Sequence, residues 1–325
     1  MAREVTGSQD VTGSRIPDSA NRGQHPGARP NQDLTSPALI SLEYFPPPQD
    51  LAPFVTTFFL LRCDEPRIVD VQLAGVGILA VFMRGQGDIY FRDGASDPSH
   101  RINILTPLAA AATVAVAGPW HSFGAALSPL GWAALSGGRS AAKHGNRLLA
   151  AGDLFGPAFA RLGDELADGW CEGRLGVAEM ARAMGAAIAA ALKPVPPQHV
   201  RLIGQVAQWL GESLSPRVDR LQDAVLYSPR QLQRLVDQYF GLPPKQLARK
   251  YRALRAASML ADPRTSEAEA AAIADKFYDQ SHMIREIGLF AGRTPARLRG
   301  PDAPMLAALL DLRNFREIAS PPPAS

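Results

Sequence analysis

Two arginines and two glutamines lie close together in the C-terminal third of the sequence, in a pattern suited to reading the edges of DNA bases. They are Arg230, Gln231, Gln233 and Arg234. Arginine can form two hydrogen bonds with guanine, and glutamine can do the same with adenine. At about 100° per residue, the apolar residues between them fall on the other side of a helix. The four polar residues are therefore candidates for base contacts, and an ordinary solvated helix face is the alternative.

A second group of the same kind follows about fifty residues later in the sequence. Its polar members are Gln280, Ser281, His282 and Arg285. Apolar residues at helical spacing form the opposite face of the predicted helix, namely Met283, Ile287 and Phe290. His282 has a structural alternative, as a residue bonded to the backbone where the helix begins. We predict that this second group also faces DNA.

Local signals define the helices that would hold these residues. Ser228 is a favourable N-cap, Pro229 suits the first helical position, and Gly241 suits the end of the helix. Further short helices are expected to begin near residues 218, 244, 267 and 279. The region 216–300 holds 15 Lys and Arg against 9 Asp and Glu, whereas the whole chain has a net charge of only +3. A basic excess confined to one region suits a nucleic-acid partner.

Residues 218–298 resemble the DNA-binding domain of the AraC/XylS family of transcription regulators, which has two helix-turn-helix units joined by a linker helix. The matching motifs are SPRQLQRL at 228–235, GLPPK at 241–245, FYDQSHMIR at 277–285 and AGRTP at 291–295. Arg252, Ala256 and Leu260 match the linker helix. The resemblance implies a sequence-specific DNA-binding regulator, not an enzyme, with double-stranded DNA as its partner and no cofactor.

Four basic residues in and before the linker helix are the candidate phosphate contacts: Lys245, Arg249, Lys250 and Arg252. The sequence departs from the family where Gln222 replaces a small residue and Val236 replaces an aromatic one. Leu226 and Lys276 stand where the family has glycine. A non-glycine residue in the left-handed conformation costs about 1 kcal/mol. We therefore expect altered turn geometry in either unit.

The region before these helices is rich in predicted strands, at 54–61, 77–83, 88–91, 101–105, 112–117 and 121–127, with a turn at Gly85-Gln86-Gly87. The fold class expected is α+β multidomain, a β-rich cupin-like domain followed by an all-α double helix-turn-helix domain. The segments YFPPP at 44–48 and SPLGW at 128–132 resemble the N-terminal part of some such regulators. This implies a sensor or dimerisation domain, with a small-molecule effector and a homodimer as partners. Trp120 and His121 are candidates for the lining of a ligand cavity, and core packing is the alternative.

The expected organisation is a disordered arm at 1–38, the β-rich domain at 39–193, a Pro-rich linker at 194–198, the DNA-binding domain at 199–300 and an extension at 301–325. The Ala-rich stretch 177–192 is expected to form a helix that packs either in its own chain or in a dimer. No signal peptide and no run of about 18 apolar residues occurs, which favours a cytoplasmic chain without a membrane partner.

Two other classes of protein remain as alternatives. A metal-dependent cupin enzyme needs a His-x-His pair, which the sequence lacks, so no metal site is predicted. A non-DNA-binding interaction protein with a decayed helix-turn-helix domain is the other alternative. The two cysteines, Cys63 and Cys171, cannot form a disulfide scaffold or a four-thiolate metal site.

Overall fold

The computed structural model describes residues 40–298, 304–310 and 315–318. It confirms the α+β class, with a sheet in the N-terminal part and helices in the C-terminal part. The predicted arm at 1–38 lies outside the described residues. The strands are β1 (Ile40–Phe45), β2 (Val55–Cys63), β3 (Arg67–Gln72), β4 (Ile78–Tyr90), β5 (Ser96–Pro98), β6 (Ile102–Leu105), β7 (Ala112–Leu127) and β8 (Leu148–Ala150).

The helices fall into two sets around the proline-rich segment. Those before it are α1 (Pro129–Ser136), α2 (Ala141–His144), α3 (Ala151–Phe155), α4 (Pro157–Cys171) and α5 (Val177–Ala191). Those after it are α6 (Pro197–Gly211), α7 (Val218–Ala224), α8 (Pro229–Phe240), α9 (Pro244–Ala261), α10 (Glu267–Ala274), α11 (Gln280–Ala291) and α12 (Pro304–Leu309). Short 3-10 turns lie at Pro295–Arg297 and Arg316–Ile318. No helix within the described ranges is long and apolar enough to cross a membrane.

All eight strands belong to one antiparallel sheet in the order β1-β2-β7-β4-β6-β8, with β3 on β7 and β5 on β4. The strand β7 holds the sheet together because its 16 residues pair with three strands. Its first half pairs with β3, its second half with β2, and both halves pair with β4.

The predicted turn at Gly85-Gln86-Gly87 is wrong, because β4 continues through it as one strand. Gly85 adopts a φ of 82°, and the pairing of β4 with β7 shifts register around it. A Cβ on Gly85 would lie 2.7 Å from the carbonyl oxygen of Pro119, so the glycine permits close packing of two strands and not a chain reversal. The strands predicted at 77–83 and 88–91 are thus one strand, as are those predicted at 112–117 and 121–127, and β1, β3, β5 and β8 were not predicted.

The two faces of the sheet have different neighbours. One face presents Phe58, Leu79 and Phe123 to a core completed by α1, α4 and α5. Met180 and Met184 of α5 are fully buried there, so the Ala-rich helix packs in its own chain. The opposite face lines a cavity of about 180 Å³.

The proline-rich segment separates α5 from α6, as expected. Just before it, the backbone N–H of Lys193 donates to the carbonyl of Ala134 in α1 at 3.0 Å. Within the segment, Val195 packs against buried apolar residues.

The helical part shares its apolar core with the β-rich part and with residues beyond 300. Val71 and Leu73 from the β3 region pack in the same core as Leu235 of α8. We call residues 304–310 and 315–318 the C-terminal segment. Its Leu306 and Ile318 are buried in that core as well. The helices from α6 onward therefore do not form a separate core of their own.

Candidate nucleic-acid interface

The helix α8 begins and ends at the residues that the sequence indicates. The Ser228 hydroxyl accepts a hydrogen bond from the Gln231 backbone at 3.3 Å, and the Gln231 side chain accepts one from the Ser228 backbone at 3.2 Å. This reciprocal cap satisfies two backbone donors that the helix leaves unpaired. Gly241 ends the helix with a φ of 82°. The polar candidates Arg230, Gln231, Gln233 and Arg234 are all exposed.

The rest of α8 is anchored in the fold. Leu232, Leu235 and Val236 are buried in the shared core, so the helix has one apolar and one polar face. Near its C-terminal end, the Gln238 side-chain amide donates to the Gly138 carbonyl at 3.1 Å. The end of α8 therefore rests on the β-rich part, while its first two turns present their polar face to solvent.

The second candidate helix, α11, also begins at a capping side chain. The Asp279 carboxylate accepts a hydrogen bond from the His282 backbone at 2.6 Å. Gln280, Ser281 and Arg285 are exposed, and the side chain of His282 is 27% exposed. The structure therefore exposes every candidate of the two groups except His282, whose Nδ1 accepts a hydrogen bond from the Tyr278 backbone at 3.4 Å, as the structural alternative for this residue expects.

A buried carboxylate, Glu286, joins α11 to the linker helix α9. Its two oxygens accept hydrogen bonds from Arg249 Nε at 2.5 Å and from Arg252 Nη2 at 2.7 Å. His282 Nε2 lies 3.0 Å from Glu286 Oε1. Burial would raise the pKa of Glu286, but the hydrogen bonds and charges of the two arginines outweigh burial and hold its pKa below the ordinary value. The cluster fixes how α11 lies against α9.

Sequence reasoning missed Glu286, although a signal for it existed. It lies three residues after Met283 and four before Phe290, which places a charged residue on the apolar face of α11. A charge in that position requires a buried partner. Two of the predicted phosphate contacts, Arg249 and Arg252, are those partners.

The four predicted phosphate contacts have different surroundings. Lys245 is exposed in the first turn of α9. The side chains of Arg249 and Arg252 are 41% and 15% exposed, and both are paired with Glu286. Lys250 is only 2% exposed, so the prediction that it contacts phosphate is wrong for this arrangement of the chain.

The Lys250 ammonium group instead lies at the junction with the β-rich part. It donates to the carbonyls of Leu108 at 3.0 Å and Gly75 at 3.3 Å. Burial lowers the pKa of Lys250 to about 8, against a smaller opposing effect of the Glu317 charge. Two backbone hydrogen bonds lie at the same junction, from Ala74 to Phe290 and from Ala111 to Leu289. The lysine therefore has a structural partner on the other side of the junction.

The left-handed strain considered for the two turns is absent from the described residues, while their altered geometry stays a prediction. Asn146, with a φ of 57°, is the only non-glycine residue of positive φ in the ranges that the structure covers. Leu226 and Lys276 thus avoid the left-handed conformation, and Leu226 and Gln222 are exposed. Val236 is fully buried in the shared core.

The two candidates for ligand contact lie on opposite faces of β7, since neighbouring residues of a strand alternate. Trp120 lines the cavity of about 180 Å³ and is 8% exposed. His121 does not line it, and its Nε2 lies 2.8 Å from Asp64 Oδ1. The prediction of His121 as a cavity residue is therefore wrong. Across 40–298, 304–310 and 315–318, no group of three or more His, Cys, Asp and Glu is placed to hold a metal ion.

Part of the chain matches a known protein family. Residues 221–300 match the family model HTH_18, described as a helix-turn-helix domain. No curated protein matches the chain. A similar solved structure is that of the AraC-like transcriptional activator CuxR, with 12% identity, a TM-score of 0.29, and coverage of 65% of this chain and 80% of that one. The matched range contains both exposed helices and the linker helix between them. Residues 221–300 are therefore similar to the helix-turn-helix domains that this family model describes.

Proposed function

We propose that the chain recognises a specific DNA sequence through the exposed faces of α8 and α11, under the control of a small molecule bound in the β-rich domain. One observation supports DNA recognition: α8 and α11 both have an exposed polar face, and both are anchored to the linker helix α9. Two such helices on one side of a domain would enter successive major grooves, about 34 Å apart.

In this proposal the base contacts are made by the polar residues of the two helices: Arg230, Gln231, Gln233, Arg234, Gln280, Ser281, His282 and Arg285. Lys245 is the proposed phosphate contact at the start of α9, where its side chain is exposed. Arg249 is half-exposed and forms an ion pair with Glu286, so in this proposal it contacts phosphate while it keeps that ion pair. These contacts position the domain and make its affinity depend on salt.

The β-rich domain, at 39–193, is the proposed site of effector control, and the domain boundaries expected from the sequence are part of the proposal. The cavity on one face of the sheet supports it, because ligand sites are concave and mostly apolar. A second copy of the chain is the further partner that the resemblance implies. Light scattering of the protein–DNA complex, giving one copy or two, checks that part.

Selection of binding sequences from random duplexes, followed by gel shifts, tests the DNA contacts. On the selected site, Arg234→Ala should cost about 1–3 kcal/mol and relax the preference at one base pair, since a bidentate arginine contact contributes that much. Arg182→Ala is the matched control, because Arg182 is an exposed, ion-paired arginine on α5. Equal loss on all sequences would show that Arg234 contacts phosphate. Salt-insensitive or absent DNA binding by the folded chain would refute the proposal.

A further inference from the structure

The cavity on the free face of the sheet is enclosed by two separate parts of the chain. Alternate residues of β2, β4 and β7 line it from the sheet, among them Phe59, Phe82 and Trp120. Met305, Phe315 and two more residues of the C-terminal segment line it from the other side, the two being Leu309 and Glu317. The segment that follows the DNA-binding domain therefore forms a wall of the cavity.

This wall is attached to both domains. Its first helix is held to the sheet, since Asp70 Oδ2 on β3 accepts a hydrogen bond from the Met305 backbone at 2.9 Å. Its second part is held to the linker helix, since the Tyr251 hydroxyl on α9 donates to Glu317 Oε1 at 3.0 Å. A molecule inside the cavity would thus touch a residue that is bonded directly to α9.

The polar groups of the cavity restrict what it can bind. The Trp120 indole Nε1–H is buried and has no hydrogen-bond partner among the described residues. A buried donor without a partner is costly, so it favours a ligand with a hydrogen-bond acceptor. Thr57 and Asn103 also line the cavity, but their side chains already bond to backbone carbonyls.

Charge and size restrict the ligand further. No Lys, Arg or His occurs among the lining residues that the structure describes, whereas the acidic residues Asp88 and Glu317 do. An anion would therefore lose its hydration without gaining a cation. The cavity, at about 180 Å³, is close to the size of the apolar cavities of about 150 Å³ that hold benzene. It suits a single ring with a small substituent.

We propose that this cavity binds a neutral, ring-sized apolar molecule that accepts a hydrogen bond from Trp120 Nε1–H, and that the C-terminal segment closes over it. This proposal names the site and the chemical class of the small molecule that was proposed above to control DNA binding. Its regulatory part rests on that proposed function. A ligand that binds only the closed arrangement stabilises the contact of the segment with α9. Occupancy of the cavity is thereby linked to α9, the helix that lies between α8 and α11 in the chain.

The experiment measures binding of three small probes to the full chain by titration calorimetry, without DNA. Acetophenone has a ring and an acceptor, ethylbenzene has the same ring and a two-carbon substituent without the acceptor, and benzoate carries a charge. Acetophenone should bind about 5-fold to 10-fold more tightly than ethylbenzene, as one net hydrogen bond provides. Benzoate should bind at least about 10-fold more weakly than acetophenone.

Trp120→Phe removes the donor and keeps an aromatic ring, so the acetophenone preference should fall below one, because the ketone then loses its hydration without gaining a donor, while ethylbenzene binding stays. Trp170→Phe, on α4 outside the lining, should keep the preference. Ala126→Leu fills the cavity from β7 and should weaken every probe, which tests the site independently if Trp120→Phe does not fold. An unchanged preference in folded Trp120→Phe, or no probe binding by the wild-type chain, overturns the inference.

Gel shifts without any probe separate this inference from the proposed DNA contacts. Intact DNA binding with no probe binding refutes only the ligand site. Probe binding with no DNA binding refutes only the proposed DNA recognition. If acetophenone binds but leaves DNA affinity unchanged, the link through the C-terminal segment is wrong.

Discussion

Replacing the buried carboxylate of Glu286 should destabilise the helix-turn-helix domain and disturb the packing of α11 against α9. In Glu286→Gln the side chain keeps its shape but loses its charge and one acceptor oxygen. Hydrogen bonds to charged groups contribute about 1.5–3 kcal/mol each. Glutamine keeps one oxygen, so one arginine bond is lost and the other becomes a bond to a neutral acceptor. The loss counts nearly in full at Arg252, which is 15% exposed, and at a discount at Arg249, which is 41% exposed. We expect a loss of about 2–4 kcal/mol in the free energy of unfolding.

Urea denaturation measures this loss. With a slope of about 3 kcal/mol per molar urea, the midpoint should fall by roughly 1 M. Glu172→Gln is the matched control, because Glu172 is an exposed carboxylate paired with the exposed Arg174. Such surface pairs contribute about 0–1 kcal/mol, so its midpoint should hardly move. Equal shifts in the two variants would refute the stabilising role of the Glu286 cluster.

The dependence on pH gives a second readout of the same cluster. The pKa of Glu286 is lowered in the folded chain, so its stabilising contribution is complete above the ordinary glutamate pKa. That contribution is lost as pH falls through the folded value. The difference between wild type and Glu286→Gln should therefore shrink below about pH 4.3. A difference that stays constant through that range would contradict the assignment of the effect to the charge.

Three further changes test the junction between the parts of the chain, each by urea unfolding. Gly292→Ala should cost about 2–3 kcal/mol, since the φ of Gly292 is 74° and the new Cβ would lie 2.5 Å from a valine of β3. Gly288→Ala is its control, because a Cβ there meets nothing within 4 Å and should stabilise the helix by about 0.5–1 kcal/mol. The free energy of unfolding of the wild type should rise between about pH 8 and 10, because in this range Lys250 is protonated in the unfolded chain but deprotonated in the folded one. Lys250→Met should abolish that rise. Leu306→Ala, fully buried, should cost about 2–5 kcal/mol, and Leu226→Ala, fully exposed, nothing measurable.

The helices that carry the candidate base contacts could be predicted because their signals are local. Ser228 and Gly241 bound α8 by bonds within the helix itself, so nearby residues are enough to place both ends. The alternation of polar and apolar residues then determined which face is exposed. The match of residues 221–300 to a helix-turn-helix family agrees with that part of the prediction.

What could not be predicted depends on residues distant in the sequence. Lys250 is basic and helical, like Lys245, and only the carbonyls of Gly75 and Leu108 distinguish the two. The glycine pair around residue 86 has the composition of a turn, yet close contact with β7 makes it part of a strand. Pairing across such separations leaves no local pattern. The C-terminal segment had an apolar composition, but its partners lie in both domains.

The position of the C-terminal segment also has a consequence for the order in which the chain matures. A protein is synthesised from its N-terminus, and the parts made first fold first. Leu306 and Ile318 are made after every residue of the core that they complete, and Met305 after the strands whose cavity it helps to enclose. A nascent chain that has just finished α11 therefore carries an open cavity and an uncovered apolar groove together. Both can close only once the C-terminal segment has been made, so the β-rich part and the helical part are completed by the same late residues.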